Sequence, residues 1–341
     1  MKTPDILITP TFHVEHEWPV NFREDDLSDF EAERVYDTKG SHLKYLNGVW
    51  VSPDSVIYKN GVIFQDSLAA PFYRPYYRFR HLIKKAVFSK KVRLEKGVQY
   101  LLVSDLWSTG HFHWFCDLLP RIWSIRERIK EFVLLLPDDP YIRKIGLQSL
   151  EMLGLDFRDI VWMQSGNFYH IPDLLFLQKI CPSGHMHPEV MRSLSQALLK
   201  GSEPGTNRLY ISRNKAAYRK ILNEHEVVAL LQDHGFHVYV GEDHSLRDQI
   251  TVFSSADVLL GVHGAGLTNC IFMHPGSSVV ELRKKENGPS NVGYWHLADS
   301  LEHKFYYYNG TPDSPLPLVG RGCNLSVDPV VLQRTVLDKL K

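Results

Sequence analysis

The residues best suited to binding an anion are His-Gly-Ala-Gly at 263–266. They directly follow an apolar run at 258–262 that is typical of a buried strand. Three small residues in succession let the chain turn sharply and let a ligand approach the backbone closely. Residues 267–273 are compatible with a helix that begins at this turn, and the free amides of a helix N-terminus bind phosphate. The pattern therefore predicts a phosphate site, with a tight turn that binds no ligand as the alternative.

Cationic residues follow one apolar run of the second half, and an acidic residue lies at the end of another. Three cations come after 208–212, and Glu281 lies at the end of 278–282. Guanidinium groups bind phosphate through parallel hydrogen bonds, and an acidic residue at a strand end can bind a ribose hydroxyl. These features predict a nucleoside-diphosphate site that lacks the GxGxxG motif; cations that only face solvent are the alternative. The candidate nucleotide-binding residues are Arg213, Lys215, Arg219, His263, Gly264, Ala265, Gly266 and Glu281.

A second polar group lies in the first half of the chain. His113 and Asp117 are four residues apart, so they share one face if this stretch is helical. Apolar residues recur at helical spacing between 114 and 125, although Pro120 predicts a kink or a boundary there. Asp105 lies near the end of the apolar run 98–106. A structural role at a helix start is the alternative interpretation of His113.

The elements that position these residues alternate in type. In the second half, four apolar runs alternate with three helical patterns, which predicts a parallel, doubly wound sheet. Capping-box patterns at 223–226 and 245–248 mark the starts of two of these helices. The first half is also α/β, and Asn-Gly pairs at 47–48 and 60–61 predict hairpin turns. The predicted strands of the second half are 208–212, 236–240, 258–262 and 278–282.

Composition narrows the class of protein. The 341 residues include 39 basic and 39 acidic side chains, so no net field favours nucleic acid. The four cysteines are isolated, which favours a reducing compartment. Two HxH pairs, at 111–113 and 185–187, lack a carboxylate at ligand spacing, and zinc is disfavoured. No secretion signal or membrane-spanning run is recognised, and we expect a cytoplasmic protein.

Segment 72–96 reverses the charge balance of the chain. Nine Lys and Arg residues oppose the single acidic Glu95, and five aromatic residues lie among the first of them. Such a segment can rest on anionic lipid headgroups or bind an anionic glycan. Two strands with solvated lysines are the alternative. Peripheral contact with a membrane through 72–96 is therefore an expectation.

Two stretches of the chain resemble the family 61 glycosyltransferases. That family includes protein O-linked N-acetylglucosaminyltransferases, plant xylan-decorating enzymes and bacterial capsule or O-antigen enzymes. The resemblance is specific over 208–282 and weaker over 98–125. It is carried by Tyr210-Ile211-Ser212-Arg213, Arg219, Asn223-Glu224, Glu226, Gln249-Ile250, Phe253, Ala256, His263-Gly264-Ala265-Gly266-Leu267-Thr268-Asn269, Phe272, Pro275-Gly276 and Glu281, and by His113-Trp114-Phe115-Cys116-Asp117-Leu118-Leu119-Pro120-Arg121.

The resemblance implies a GT-B-like α/β fold, in which two Rossmann-like doubly wound domains face each other across a cleft. We expect an acceptor-side domain over 1–200, a nucleotide-sugar-binding domain over 201–310, and a tail with a helix over 311–341. The implied reaction inverts the anomeric carbon and needs no metal or other cofactor, with a nucleotide sugar, expected to be UDP-linked, as substrate. The base that accepts the proton of the acceptor hydroxyl is expected to be His113, because an imidazole titrates near neutrality, with Asp117 and Asp105 as further candidates.

Several functions remain open on this basis. The expected role is sugar transfer to a glycan or lipid-linked glycan acceptor in surface polysaccharide synthesis, in a bacterial capsule-type enzyme at the inner face of the membrane. An epimerase or a pyruvyltransferase-like enzyme on the same fold is one alternative. A non-catalytic module that binds glycan or nucleotide is another.

Overall fold

The computed structural model describes residues 5–77, 79–241, 244–286, 291–317 and 322–340. Packing groups the chain into two compact units. The N-terminal unit comprises Met1–Phe12 and Lys39–Ile180, and the C-terminal unit comprises His13–Thr38 and Cys181–Lys341. This grouping divides the chain before residue 200, joins an N-terminal stretch to the C-terminal unit, and includes the tail 311–341 in that unit. That the two halves form a GT-B cleft stays a prediction.

The elements are numbered here along the chain. The strands are β1 Ile6–Thr9, β2 Phe12–Glu15, β3 Val35–Thr38, β4 Ser41–Val51, β5 Ile57–Lys59, β6 Val62–Ile63, β7 Lys90–Arg93, β8 Tyr100–Leu102, β9 Val133–Pro137, β10 Asp159–Met163, β11 Asn167–Leu177, β12 Asn207–Ile211, β13 Phe236–Tyr239, β14 Ala256–Val262, β15 Ser278–Arg283, β16 Lys304–Asn309, β17 Thr311–Pro312 and β18 Leu325–Ser326. The α-helices are α1 Leu27–Phe30, α2 Phe79–Phe88, α3 Leu119–Ser124, α4 Leu147–Met152, α5 Pro188–Leu198, α6 Glu224–Asp233, α7 Leu246–Ser254, α8 Gly293–Ser300 and α9 Pro329–Thr335.

The N-terminal unit is built on a mixed sheet with the order β10-β9-β8-β11-β4-β5-β6; β1 also pairs with β4, and β7 with β11. β10, β9, β8 and β11 pair in parallel, whereas β11 pairs with β4 antiparallel. The unit is therefore α/β, as predicted, but half of its sheet departs from a doubly wound arrangement. Asn60-Gly61 forms the expected hairpin turn between β5 and β6. The turn predicted at 47–48 is wrong, because both residues lie inside β4.

The C-terminal unit contains a five-stranded sheet in the order β13-β12-β14-β15-β16, and every neighbouring pair in it is parallel. The four strands predicted from the sequence are confirmed to within two residues, and β16 is an additional edge strand. Buried aliphatic and aromatic side chains of β12, β14, β15 and β16 pack against α6 and α9. This packing makes the sheet a rigid support for the loops at its carboxyl edge. Within the described part of the chain, no helix is both long and apolar enough to cross a membrane.

Candidate functional site

Arg213 and His263 follow neighbouring strands of the C-terminal sheet. β12 ends at Ile211 and β14 ends at Val262, and Ile211 pairs with Gly261 in the parallel ladder. Because parallel strands end at the same edge, the loops after β12 and β14 begin side by side. The structure therefore brings together two of the segments that the sequence predicted to form a phosphate site.

The guanidinium groups of Arg213 and Arg219 converge on Gly264. A Cβ atom at Gly264 would lie 3.1 Å from Arg219 Nη1 and 3.2 Å from Arg213 Nη1. Arg213 Nε donates a hydrogen bond to the carbonyl oxygen of Arg219, and Arg219 Nη1 donates to that of His263, each at 3.2 Å. These bonds tie the loop after β12 to the loop after β14 and hold two positive charges over a glycine.

The surroundings of this pair of arginines favour an anion. Like charges repel, and an anion that contacts both offsets the repulsion. Arg219 Nε is buried and has no hydrogen-bond partner in the part of the chain that the structure describes, which leaves a donor for an acceptor oxygen. Lys215 is an exposed residue of the same loop. Glu242 and Asp243, which follow β13, lie outside the described residues.

The glycine turn opens a 3₁₀-helix rather than the α-helix expected from the sequence. This helix spans Ala265–Phe272, and the amide of Leu267 donates to the carbonyl oxygen of Gly264 at 2.9 Å. Gly266 packs against Ile211 so closely that an added Cβ would lie 3.0 Å from an Ile211 methyl carbon. A side chain at position 264 would crowd the two guanidinium groups, and one at position 266 would crowd the end of β12. Both positions therefore favour glycine on steric grounds.

His263 and Glu281 form a buried pair between neighbouring strands. His263 Nδ1 donates to Glu281 Oε1 at 2.5 Å, and the two side chains are 6% and 0% exposed. Glu281 lies within β15 and is not a free carboxylate at the strand end, so the ribose contact expected of it stays a prediction. Glu281 Oε2 has no hydrogen-bond partner among the described residues. Because Nδ1 is bound to Glu281, Nε2 is the nitrogen that His263 can offer to a ligand.

In the N-terminal unit, His113 and Asp117 form the pair that their spacing predicts. His113 Nδ1 donates to Asp117 Oδ2 at 2.7 Å, and the side chains are 28% and 5% exposed. Both residues lie in a π-helical segment, His113–Leu118, directly before α3. Pro120 lies in the first turn of α3, so the boundary that it predicts is confirmed. π-Helical turns are frequent at functional sites.

The carboxylate of Asp105 is buried and occupied by other groups. Lys179 Nζ lies 2.8 Å from Asp105 Oδ2, and the amide of Trp107 donates to Oδ1 at 2.9 Å. Burial raises the pKa of the Asp105 carboxyl, but the nearby charges of Lys179 and the buried Arg121 lower it by more. The net pKa therefore lies below the ordinary value of 3.8. Such a carboxylate holds its negative charge at neutral pH and is a weak base.

Arg121 links Asp105 and Asp117 electrostatically. Burial lowers the pKa of its guanidinium to about 10, against the opposing effect of the two carboxylates, so it is cationic at neutral pH. Its side chain donates to the carbonyl oxygen of Leu177. Sequence reasoning did not assign a role to Arg121 or Lys179. The one available signal for Arg121 was its place at the end of the Leu-Pro-Arg motif, and Lys179 had none.

The two HxH pairs are engaged in separate contacts. His111 Nδ1 lies 2.9 Å from the Tyr141 hydroxyl, and His185 Nε2 lies 2.9 Å from Glu33 Oε2. Over the ranges that the structure describes, no set of three or more His, Cys, Asp or Glu side chains is arranged to hold a metal ion.

Comparison with known proteins points to one family. Residues 111–280 match the sequence model of Glycosyltransferase 61. The EGF domain-specific O-linked N-acetylglucosamine transferase of Rattus norvegicus is 33% identical over 161 residues, which are 42% of this chain and 29% of that protein.

Two proteins of Oryza sativa subsp. japonica match shorter stretches. A beta-1,2-xylosyltransferase is 42% identical over 83 residues, or 24% of this chain and 15% of its own. An alpha-1,3-arabinosyltransferase is 39% identical over 77 residues, or 22% of this chain and 13% of its own. The chain thus matches less than a third of the length of these relatives. The family match over 111–280 includes the His113–Asp117 pair, both arginines and the glycine turn, and by this match the chain belongs to the glycosyltransferase 61 family.

Proposed function

We propose that the chain transfers a sugar from a nucleoside-diphosphate donor, with UDP as the nucleotide, to a hydroxyl group of a glycan. The observation that carries the proposal is the convergence of Arg213 and Arg219 over Gly264 at the carboxyl edge of a parallel sheet. This arrangement is suited to a diphosphate. The printed names of the relatives, which transfer N-acetylglucosamine, xylose or arabinose, support sugar transfer as the reaction.

The proposed reaction is a single displacement. The acceptor oxygen attacks the anomeric carbon, the bond from that carbon to the β-phosphate oxygen breaks, and the configuration inverts. The leaving diphosphate gains negative charge, which the guanidinium groups of Arg213 and Arg219 stabilise together with the amides of the 264–266 turn. Protein cations thereby replace a divalent metal in this role.

His113 is the proposed general base. Asp117 accepts the hydrogen bond from Nδ1, which fixes the tautomer in which Nε2 has a lone pair. Nε2 takes the proton of the acceptor hydroxyl during the attack. The partly exposed His113 suits proton transfer better than Asp105, whose charge is held by Lys179.

The remaining expectations extend this proposal. Action on a lipid-linked acceptor in surface polysaccharide synthesis would agree with membrane contact through 72–96. The structure makes this segment a 3₁₀ turn, Pro71–Tyr73, followed by α2 and β7, so the alternative of two strands is wrong for 79–88. α2 exposes Ile83, Val87 and Phe88. Arg78 lies outside the described residues.

The test is release of UDP from a panel of UDP-sugars in excess EDTA, without acceptor. Transferases of this kind hydrolyse their donor slowly, so we expect slow UDP release with at least one sugar, and its loss in the Arg213→Ala variant. An epimerase would instead convert the sugar and retain the nucleotide bond. Nucleotide binding with no turnover of any donor would favour the non-catalytic module.

A further inference from the structure

The turn before α2 contains two aromatic side chains that are largely exposed and two, those of Tyr73 and Tyr77, that are held by hydrogen bonds. Phe72 and Tyr76 are 68% and 77% exposed. Tyr77 is buried and its hydroxyl donates to Asp54 Oδ2 at 2.7 Å. Full burial of one such ring contributes about 1.5–3 kcal/mol, so two large rings left in water at one turn indicate a surface that meets a ligand.

Ring contacts connect this turn to the proposed base. The Phe72 ring centroid lies 6.1 Å from that of Trp107, and the Trp107 centroid lies 4.9 Å from that of His113. Trp107 Nε1 donates to the Tyr73 hydroxyl at 3.2 Å, which fixes the turn against the loop that carries Trp107. The Trp107 ring therefore contacts both Phe72 and His113 and connects them.

Trp107 itself is a fixed part of this arrangement. Lys179 Nζ lies 5.4 Å from the centre of its ring, and the Tyr73 ring packs against it at 70°. Its neighbours hold Trp107 in place, whereas most of Phe72 and Tyr76 faces solvent. The exposed rings are the ones that remain available for stacking.

We propose that Phe72 and Tyr76 bind a pyranose ring of the acceptor, next to the sugar whose hydroxyl reacts at His113. A pyranose presents a face of C–H groups, which the electron-rich face of an aromatic ring attracts. Aromatic side chains supply this contact area at a low cost in conformational entropy. This inference rests on the proposed function, because it uses His113 as the base and so identifies the acceptor as a glycan.

The test is direct binding of cellohexaose, xylohexaose and N-acetylchitohexaose, measured by calorimetry without nucleotide. We expect the unmodified protein to bind at least one of them and the Phe72→Ala, Tyr76→Ala double variant to bind it about tenfold more weakly. Phe88→Ala is the matched control, because Phe88 is 80% exposed in the same unit and lies on α2, away from these ring contacts. Thermal unfolding checks that all variants are folded, as their exposure leads us to expect.

Three results would overturn the subsite: no binding of any of the three glycans, equal affinity of the double variant, or an equal loss in Phe88→Ala. Binding of phosphatidylglycerol vesicles that requires Phe72 and Tyr76, without glycan binding, would reassign the patch to a lipid surface. Donor hydrolysis is measured on the same samples. If hydrolysis is absent while glycan binding depends on Phe72 and Tyr76, the proposed function fails and the subsite stands. If hydrolysis is intact while the double variant binds glycan normally, the subsite fails and the proposed function stands.

Discussion

The two histidine–carboxylate pairs differ in how the chain brings them together and in how far water reaches them. His113 and Asp117 are four residues apart in one π-helical turn, with 28% and 5% of their side chains exposed. His263 directly follows β14 and Glu281 lies within the neighbouring parallel strand β15, with 6% and 0% of their side chains exposed. The donor–acceptor distances are similar, at 2.7 and 2.5 Å.

This difference in exposure indicates different functional roles for the two histidine–carboxylate pairs. A partly exposed imidazole can exchange a proton with a substrate and then with water, which a general base must do in every turnover. A buried imidazole that bonds to a buried carboxylate is held in one orientation, which suits a residue that fixes the backbone beneath two arginines. Substitutions in each pair can therefore separate proton transfer from phosphate binding.

The largest effect is expected from His113→Ala. Removal of a general base lowers the rate by about 10²–10⁴-fold, so sugar transfer should fall by this order while UDP affinity stays within about twofold. Asp117→Asn should lower the rate less, because the base remains but its tautomer is no longer fixed. Steady-state transfer rates measure both. His42→Ala, a half-buried histidine of β4, is the control and should transfer normally.

A smaller effect is expected from Gly264→Ala. The new methyl group would meet the Nη1 atoms of Arg213 and Arg219 at 3.1–3.2 Å, and these flexible side-chain ends would move aside. UDP affinity should therefore fall about tenfold, on the scale of one lost charge-assisted hydrogen bond, and the melting temperature should fall too, because φ at Gly264 is +158°, a conformation that residues with a side chain rarely adopt. Unchanged UDP affinity in a folded Gly264→Ala protein would show that the glycine turn does not contribute to nucleotide binding.

Glu281→Gln tests whether the buried pair positions the site or takes part in proton transfer. The amide keeps the size of the side chain but removes its charge beside His263. We expect a loss of about 1–3 kcal/mol in stability and several-fold weaker UDP binding, with the pH dependence of transfer unaltered. A shifted pH profile with normal UDP affinity would assign proton transfer to the His263–Glu281 pair and a positioning role to the His113–Asp117 pair.

Acid should also distinguish the buried His303 from the half-buried His42. Burial lowers the pKa of His303 to about 4, and its Nε2 donates to the carbonyl oxygen of Cys270 at 3.0 Å. The unfolded chain takes up a proton on His303 near pH 6.5, whereas the folded chain does so only near pH 4. The part of the free energy of unfolding that depends on His303 is therefore fully present above pH 6.5 and falls by up to about 3 kcal/mol as the pH drops towards 4. His303→Asn should lose this part of the acid sensitivity in denaturant titrations between pH 7 and 4, and His42→Ala should retain it.

Local features were predictable from the sequence because neighbouring residues determine them. The i,i+4 pair of His113 and Asp117, the strands of the C-terminal sheet and the capping box of Ser245 and Asp248 were all predicted. The cap expected at Asn223 is absent, because its side-chain oxygen, which would accept the capping bond, accepts instead from the backbone amide of Val327 at 3.1 Å. A tertiary partner thus outcompeted the local one.

Features that depend on strand pairing were not predictable in the same way. The bond between His263 and Glu281 needs the register of β14 and β15, which neither segment encodes alone. The antiparallel pairing of β4 with β11 likewise joins segments more than a hundred residues apart, and it places Asn47 and Gly48 inside a strand. A non-local contact of this kind also links Asp105 to Lys179.

The most direct test of the central claim is calorimetry of UDP binding in EDTA with the unmodified protein, Arg213→Ala and the control Arg247→Ala, an exposed arginine of α7. We predict binding without a divalent metal, a loss of about 10–150-fold in Arg213→Ala, as expected for one hydrogen bond to a charged group, and normal affinity in Arg247→Ala. Binding that requires added Mg²⁺, or equal affinity in all three proteins, would contradict the assignment of Arg213 and Arg219 to the donor diphosphate.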